Sequence, residues 1–101
     1  MQREYPERPL VGVGVVVRRG DRVLLVRRAK PPRANAWSLP GGLQKLGETV
    51  FAAAAREVHE ETGVIAEGWR LIAIADLIEH DDTGRVRYHY TLIDVAATWC
   101  A

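Results

Sequence analysis

Cysteine is almost missing from this chain. Cys100 stands alone, so there is no internal disulfide framework and no zinc site built on cysteines. An excess of either charge is also missing, with Lys plus Arg at 14 against Asp plus Glu at 13. That balance gives no electrostatic reason to expect a nucleic acid or an anionic membrane as partner. No apolar run is long enough to cross a bilayer. The opening MQREYPERPL is polar, carries both charge signs and does not read as a signal peptide. Together these absences predict a reduced, cytoplasmic setting. Repeats and low-complexity tracts are absent too. What remains is 101 residues, 48% hydrophobic and 27% charged. This describes one globular domain with a modest core, and it excludes intrinsic disorder.

Residues 1–9 read as a polar arm and residues 10–101 as the domain. In LVGVGVVVR, Val11, Val13, Val15 and Val17 recur at period two, which predicts a strand. Gly12 and Gly14 fall on its other face, where a neighbour can approach closely. Arg19-Gly20-Asp21 is a turn, and 22–28 is the returning strand of a hairpin. Residues 29–36, with Pro31-Pro32, form a loop. Trp37-Ser38-Leu39 is a brief strand, and Pro40-Gly41-Gly42 is expected to stop regular structure. Thr49 to Thr62 is a helix with Thr49 as N-cap and Gly63 as stop. Val50, Ala54 and Val58 give it an apolar stripe. Two more strands, 69–80 and 85–97, flank a turn at Asp81-Asp82-Thr83-Gly84. The order is β-β-(β)-α-β-β, an α/β or α+β domain.

Chemistry concentrates in GLQKLGETVFAAAAREVHEETGV, Gly42 to Val64. Glu57, Glu60 and Glu61 stand at i, i+3 and i+4, so three carboxylates crowd about 100° of one helix face. Such clusters usually form solvated faces, and like charges at this spacing destabilise a bare helix. A hard divalent cation would convert that cost into a gain, since Mg²⁺ takes oxygen ligands. Ala53, one turn earlier, is expected to leave room for a charged ligand. Arg56 is placed to pair with Glu60 or with Glu48. Gly41-Gly42 offers bare backbone, and His59 points away from the carboxylates.

The whole pattern decides the reading. Gly42, five residues, Glu48, seven residues, Arg56-Glu57-Val58, one residue, Glu60-Glu61, one residue and Gly63-Val64 match the complete signature of the Nudix hydrolases. A chance match at a given start is on the order of 10⁻¹⁰ from average usage. The approach Trp37-Ser38-Leu39-Pro40-Gly41-Gly42 also resembles this family. The Pro31-Pro32 loop and Tyr88-His89-Tyr90 resemble its ADP-ribose pyrophosphatase-like members.

The resemblance implies a Nudix-type mixed-sheet α/β sandwich. It implies hydrolysis of a nucleoside diphosphate linked to another group, assisted by Mg²⁺ or Mn²⁺. ADP-ribose or a related nucleotide sugar is the first substrate it suggests, oxidised nucleotides such as 8-oxo-dGTP the second and NADH the third. A non-catalytic nucleotide-binding module is the rival reading. Carried onto this chain, Glu57 and Glu61 match the principal metal ligands. Glu60 matches a third ligand or the group that handles the water, and the Gly41 carbonyl matches a further ligand. Arg56 and Glu48 match the ion pair that joins loop to helix, and Arg28 matches a substrate contact in some relatives. Trp37 is expected to pack in the core or a loop rather than stack on a base. The hairpin acids Glu79, Asp81 and Asp82 are expected to be solvated. Relatives continue past this length with further strands and a helix. The chain is therefore expected to be a truncated form or to complete its fold as a homodimer.

Overall fold

The computed structural model describes residues 2–27 and 36–101. Arg28 and the Pro31-Pro32 loop lie outside these residues. The first strand, β1 (Leu10–Arg19), carries the alternation read from its valines, with Val13, Val15 and Val17 buried. A short turn returns the chain as β2 (Arg22–Val23), antiparallel to β1. The returning segment expected as one strand over 22–28 is split. Leu24 and Leu25 interrupt it, and β3 (Val26–Arg27) pairs instead with β4 (Trp37–Ser38) in a separate two-stranded sheet.

Gly41-Gly42 does not end regular structure, contrary to the breaker reading. Gly41–Leu43 forms β5, antiparallel to β1 with Val13 opposite Gly42 and Gly14 opposite Gly41. Bare backbone is required here. A Cβ on Gly41 would strike the Val13 carbonyl, and one on Gly42 would lie 2.5 Å from the Glu57 carboxyl carbon.

Helix α1 (Val50–Thr62) begins at Thr49, whose hydroxyl accepts the Ala52 N–H at 3.1 Å. It ends at Gly63, in a left-handed conformation with φ 73° that returns its N–H to the His59 carbonyl. Two long strands follow, β6 (Ala66–His80) and β7 (Val86–Trp99), antiparallel to one another. Strand β7 runs parallel to β1, which makes the main sheet mixed, in the order β2-β1-β7-β6 with β5 also on β1.

The core lies between this sheet and α1. Val13, Val15, Val17 and Val95 from the sheet meet Ala53, Ala54 and Val58 from the helix. Full burial of each valine contributes on the order of 1.5–3 kcal/mol. Ala53 is fully buried in this cluster. It does not leave room for a ligand, as the spacing had suggested. Instead its small side chain lets the helix approach β1 closely. The core alternative for Trp37 is also corrected. Trp37 is 64% exposed rather than a core residue, with the Arg27 guanidinium 5.7 Å from its ring centre. The N-terminal arm docks on the β6–β7 hairpin. The Tyr5 hydroxyl donates to Asp81 at 2.8 Å, and the Tyr5 N–H donates to the Arg87 carbonyl at 2.8 Å.

Candidate active site

The loop between β5 and α1 is tied to the helix by one arginine. Arg56 donates from Nε to Glu48 Oε2 at 2.6 Å and from Nη2 to Glu48 Oε1 at 2.9 Å. This bidentate fork fixes both orientation and distance. The same Nη2 donates to the Leu43 carbonyl at 3.0 Å, and Nη1 donates to Glu57 Oε1 at 2.8 Å. Nη1 also reaches Glu60 Oε2 at 3.4 Å. Both expected partners of Arg56 are thus real, and Glu48 is the tighter. The Lys45 N–H adds a further bond to Glu48 Oε1 at 2.8 Å. Arg56, and secondly the Lys45 N–H, hold the Glu48 carboxyl down at about 2.

The three helix carboxylates are not equivalent. The side chain of Glu57 is only 15% exposed, against 54% for Glu60. Glu57 lies over Gly42, in space that a Cβ would fill. Glu61 accepts the Gly41 N–H at 3.4 Å. Burial pushes the Glu61 carboxyl above its ordinary value, and the facing Glu57 carboxylate adds to the rise. Two acids are therefore held close together at the cost of their mutual repulsion.

They face an open cleft of about 1330 Å³, at or above the usual size of small-molecule sites. Its lining includes Glu57 and Glu61 from α1, Arg27 from β3, and Tyr90, Leu92 and Asp94 from β7. Glu60 is not brought into this lining. Arg27 adjoins the expected contact Arg28 and Tyr90 belongs to the Tyr88-His89-Tyr90 segment, whereas Asp94 was missed by the sequence reading. Asp94 had one visible signal, a lone acid in the apolar run TLIDVAA. Glu79 and Asp82 are exposed as expected, whereas Asp81 is half-buried. Asp81 accepts bonds from Thr83, Arg85 and Tyr5, which makes it a turn-former rather than a base.

Among the described residues, no three His, Cys, Asp or Glu side chains stand in metal-cage geometry. The donor chemistry nevertheless suits a hard cation. Glu57 and Glu61 are facing carboxylates beside a cleft, and Mg²⁺ commonly takes one or two carboxylates, with phosphate and water completing its shell.

A mixed sheet over a helix that carries paired glutamates, braced by an Arg–Glu fork, defines an α/β fold with an acidic site beside a cleft. The NUDIX domain model matches residues 8–98, and the chain belongs to that family. It is 33% identical over 87 residues to an ADP-ribose pyrophosphatase of Methanocaldococcus jannaschii, covering 86% of this chain and 52% of the relative. It is 42% identical over 76 residues to a putative 8-oxo-dGTP diphosphatase 2 of Mycobacterium tuberculosis, covering 74% and 48%. A MutT NUDIX hydrolase from Burkholderia pseudomallei has the same fold, with a TM-score of 0.78 and 33% identity, covering 94% of this chain and 71% of that one. The chain spans about half the length of these curated relatives. No helix among the described residues is long and apolar enough to cross a membrane.

Proposed function

We propose that this chain hydrolyses the pyrophosphate bond of a nucleoside diphosphate linked to a second group, with ADP-ribose or a related nucleotide sugar as substrate and Mg²⁺ or Mn²⁺ as cofactor. The observation that carries the reading is the facing pair Glu57 and Glu61 beside an open cleft, with Glu57 bonded to Arg56 and Glu61 to the Gly41 N–H. In the reaction, water oxygen bonds to one phosphorus and the bridging P–O bond breaks. ADP-ribose would yield AMP and ribose 5-phosphate, with the water proton passing to solvent.

Glu57 and Glu61 would hold the cation, with the Gly41 carbonyl as a further ligand. A divalent cation supplies charge neutralisation at the phosphates and a lowered pKa for bound water. Glu60, exposed and outside the cleft lining but reached by Arg56, would orient or deprotonate the attacking water. Arg56 and Glu48 keep the loop and helix in register, so the acids are positioned before substrate arrives. Arg28 remains a proposed substrate contact, and its neighbour Arg27 lines the cleft.

The name of the mycobacterial relative supports a second reading, an 8-oxo-dGTP diphosphatase. Product chromatography separates the two. Purified chain is incubated with ADP-ribose, NADH and 8-oxo-dGTP, with and without Mg²⁺, beside Glu61→Gln. Mg²⁺-dependent cleavage of ADP-ribose that the variant loses supports the first reading. Selective cleavage of 8-oxo-dGTP supports the second. Folded protein that cleaves none of them overturns both and favours a binding module.

A further inference from the structure

Asp94 is an acid in the middle of a sheet, a position where carboxylates are uncommon without a purpose. Its place is defined by its row. Across the sheet, Gly41 pairs with Gly14, Gly14 with Asp94, and Asp94 with Ala73. Asp94 therefore has a glycine on one side and an alanine on the other. The glycine matters most, because a Cβ on Gly14 would fall 2.6 Å from Asp94 Oδ1. Only bare backbone allows the carboxylate to lean that way, toward the strand that carries Gly41. Among the described residues nothing donates a hydrogen bond or an ion pair to Asp94, and none of its side-chain oxygens is buried without a partner. Asp94 lines the cleft that Glu57 and Glu61 share.

An ionised carboxylate is acceptor-only and repels phosphate. Its partner must be an uncharged or cationic donor. Gly41, whose N–H holds Glu61, lies two strands away, roughly 10 Å at the usual strand spacing. The part of a nucleotide that comes next after its pyrophosphate is the sugar, and the base lies beyond. Vicinal hydroxyls match the two oxygens of one carboxylate, the same chemistry by which an acid reads a ribose diol elsewhere.

We propose that Asp94 is a specificity residue that accepts hydrogen bonds from the hydroxyls of a ribose attached to the pyrophosphate, and so selects ribose over deoxyribose. This rests on the hydrolytic reading only for the identity of the reaction, not for binding.

The test compares ADP-ribose with its 2′-deoxy counterparts in either ribose, by steady-state kinetics with Mg²⁺ and by calorimetric binding. Wild type should favour ADP-ribose over one deoxy counterpart by roughly tenfold or more, mainly in KM, as expected for a hydrogen bond to a charged group. Asp94→Ala should bring that ratio to about one, with the deoxy compound handled as by wild type. Asp94→Asn keeps the shape and one acceptor, and should give an intermediate ratio. A purely structural role would weaken both compounds alike and leave the ratio unchanged, which overturns the inference. So does a wild type with no preference for ribose. Binding preference for ribose without turnover overturns the hydrolytic reading and leaves the role of Asp94 standing. A folded chain that neither binds nor cleaves either compound overturns both.

Discussion

Arg56 serves Glu48, Glu57, Glu60 and the Leu43 carbonyl at once, so the charge state of its partners controls how loop and helix meet. Glu48 sits at about 2 in the fold against an ordinary 4.5, chiefly through Arg56. A depressed acid supplies stability that is complete above its unfolded value and lost as pH falls through its folded one. Thermal melts should therefore decline between about pH 4.5 and 2, and Glu48→Gln should flatten that decline. Asp81, also held at about 2 by Thr83 and Tyr5, contributes in the same window, so adding Asp81→Asn should flatten it further. Unchanged pH slopes in both variants would contradict this assignment. Glu61 has the opposite sign. Burial and Glu57 raise it, so its ionised form is a penalty at neutral pH that acid relieves. Without metal, Glu61→Gln should melt at or above the wild-type temperature. Its turnover should fall at least about tenfold, roughly 1.4 kcal/mol of transition-state stabilisation. Full activity in that variant would sink the metal-site proposal. The glutamates and their arginine were legible because helix spacing is local. Asp94 was not, because its meaning comes from Gly14, eighty positions earlier and adjacent only through β1–β7 pairing.

The elements that sequence foretold are those whose signals are local and redundant. Strand β1 has its valine period, and α1 has a cap at each end. Thr49→Ala should cost about 1 kcal/mol in a denaturant melt, because the Ala52 N–H loses its acceptor. No measurable loss would mean that water replaces the cap fully. The elements misread are those where a residue answers to a neighbour. Gly41-Gly42 has the composition of a breaker, yet β1 and Glu57 both demand a missing Cβ there, so the segment is a strand. Gly42→Ala tests this directly. Its Cβ would displace the Glu57 carboxylate, and activity should fall more than melting temperature. Ala53 was misplaced because it lies only about 40° around the helix from Glu57. That small rotation crosses from the cleft side to the buried side. The segment 22–28 has one strand's composition but serves two sheets, a division set by β4 pairing rather than by its own residues.

At the scale of the molecule, lengths do not match. Helix α1, with 13 residues, is about 20 Å long, whereas the 15 residues of β6 extend about 50 Å. The helix packs on β1, β5 and β7 and leaves most of β6 uncovered. The consequence is measurable. The surface is 7120 Å², where a folded monomer of this mass exposes roughly 5,700 Å². The radius of gyration is 14.5 Å, against about 13 Å for a compact chain of 100 residues. Leu71, Ile72, Ile74 and Ile78 of β6 are all at least half exposed, and β6 is an edge of the main sheet. Apolar surface beside unpaired strand edge drives association. The homodimer expected from the sequence has its physical motive here. Ile74 and Ile78 pair with Ile93 and His89, which alternate with the cleft residues Tyr90, Leu92 and Asp94 on β7. They therefore sit on the sheet face away from the cleft, and altering them spares the site. Light scattering should give a mass for the wild-type chain that rises with concentration. Ile74→Lys combined with Ile78→Lys should hold it at the monomer mass, with kcat/KM on the cleaved substrate unchanged. A variant that associates as strongly as wild type would place the contact on another surface. A wild-type chain that is monomeric at every concentration would mean that this strand tolerates its exposure in water.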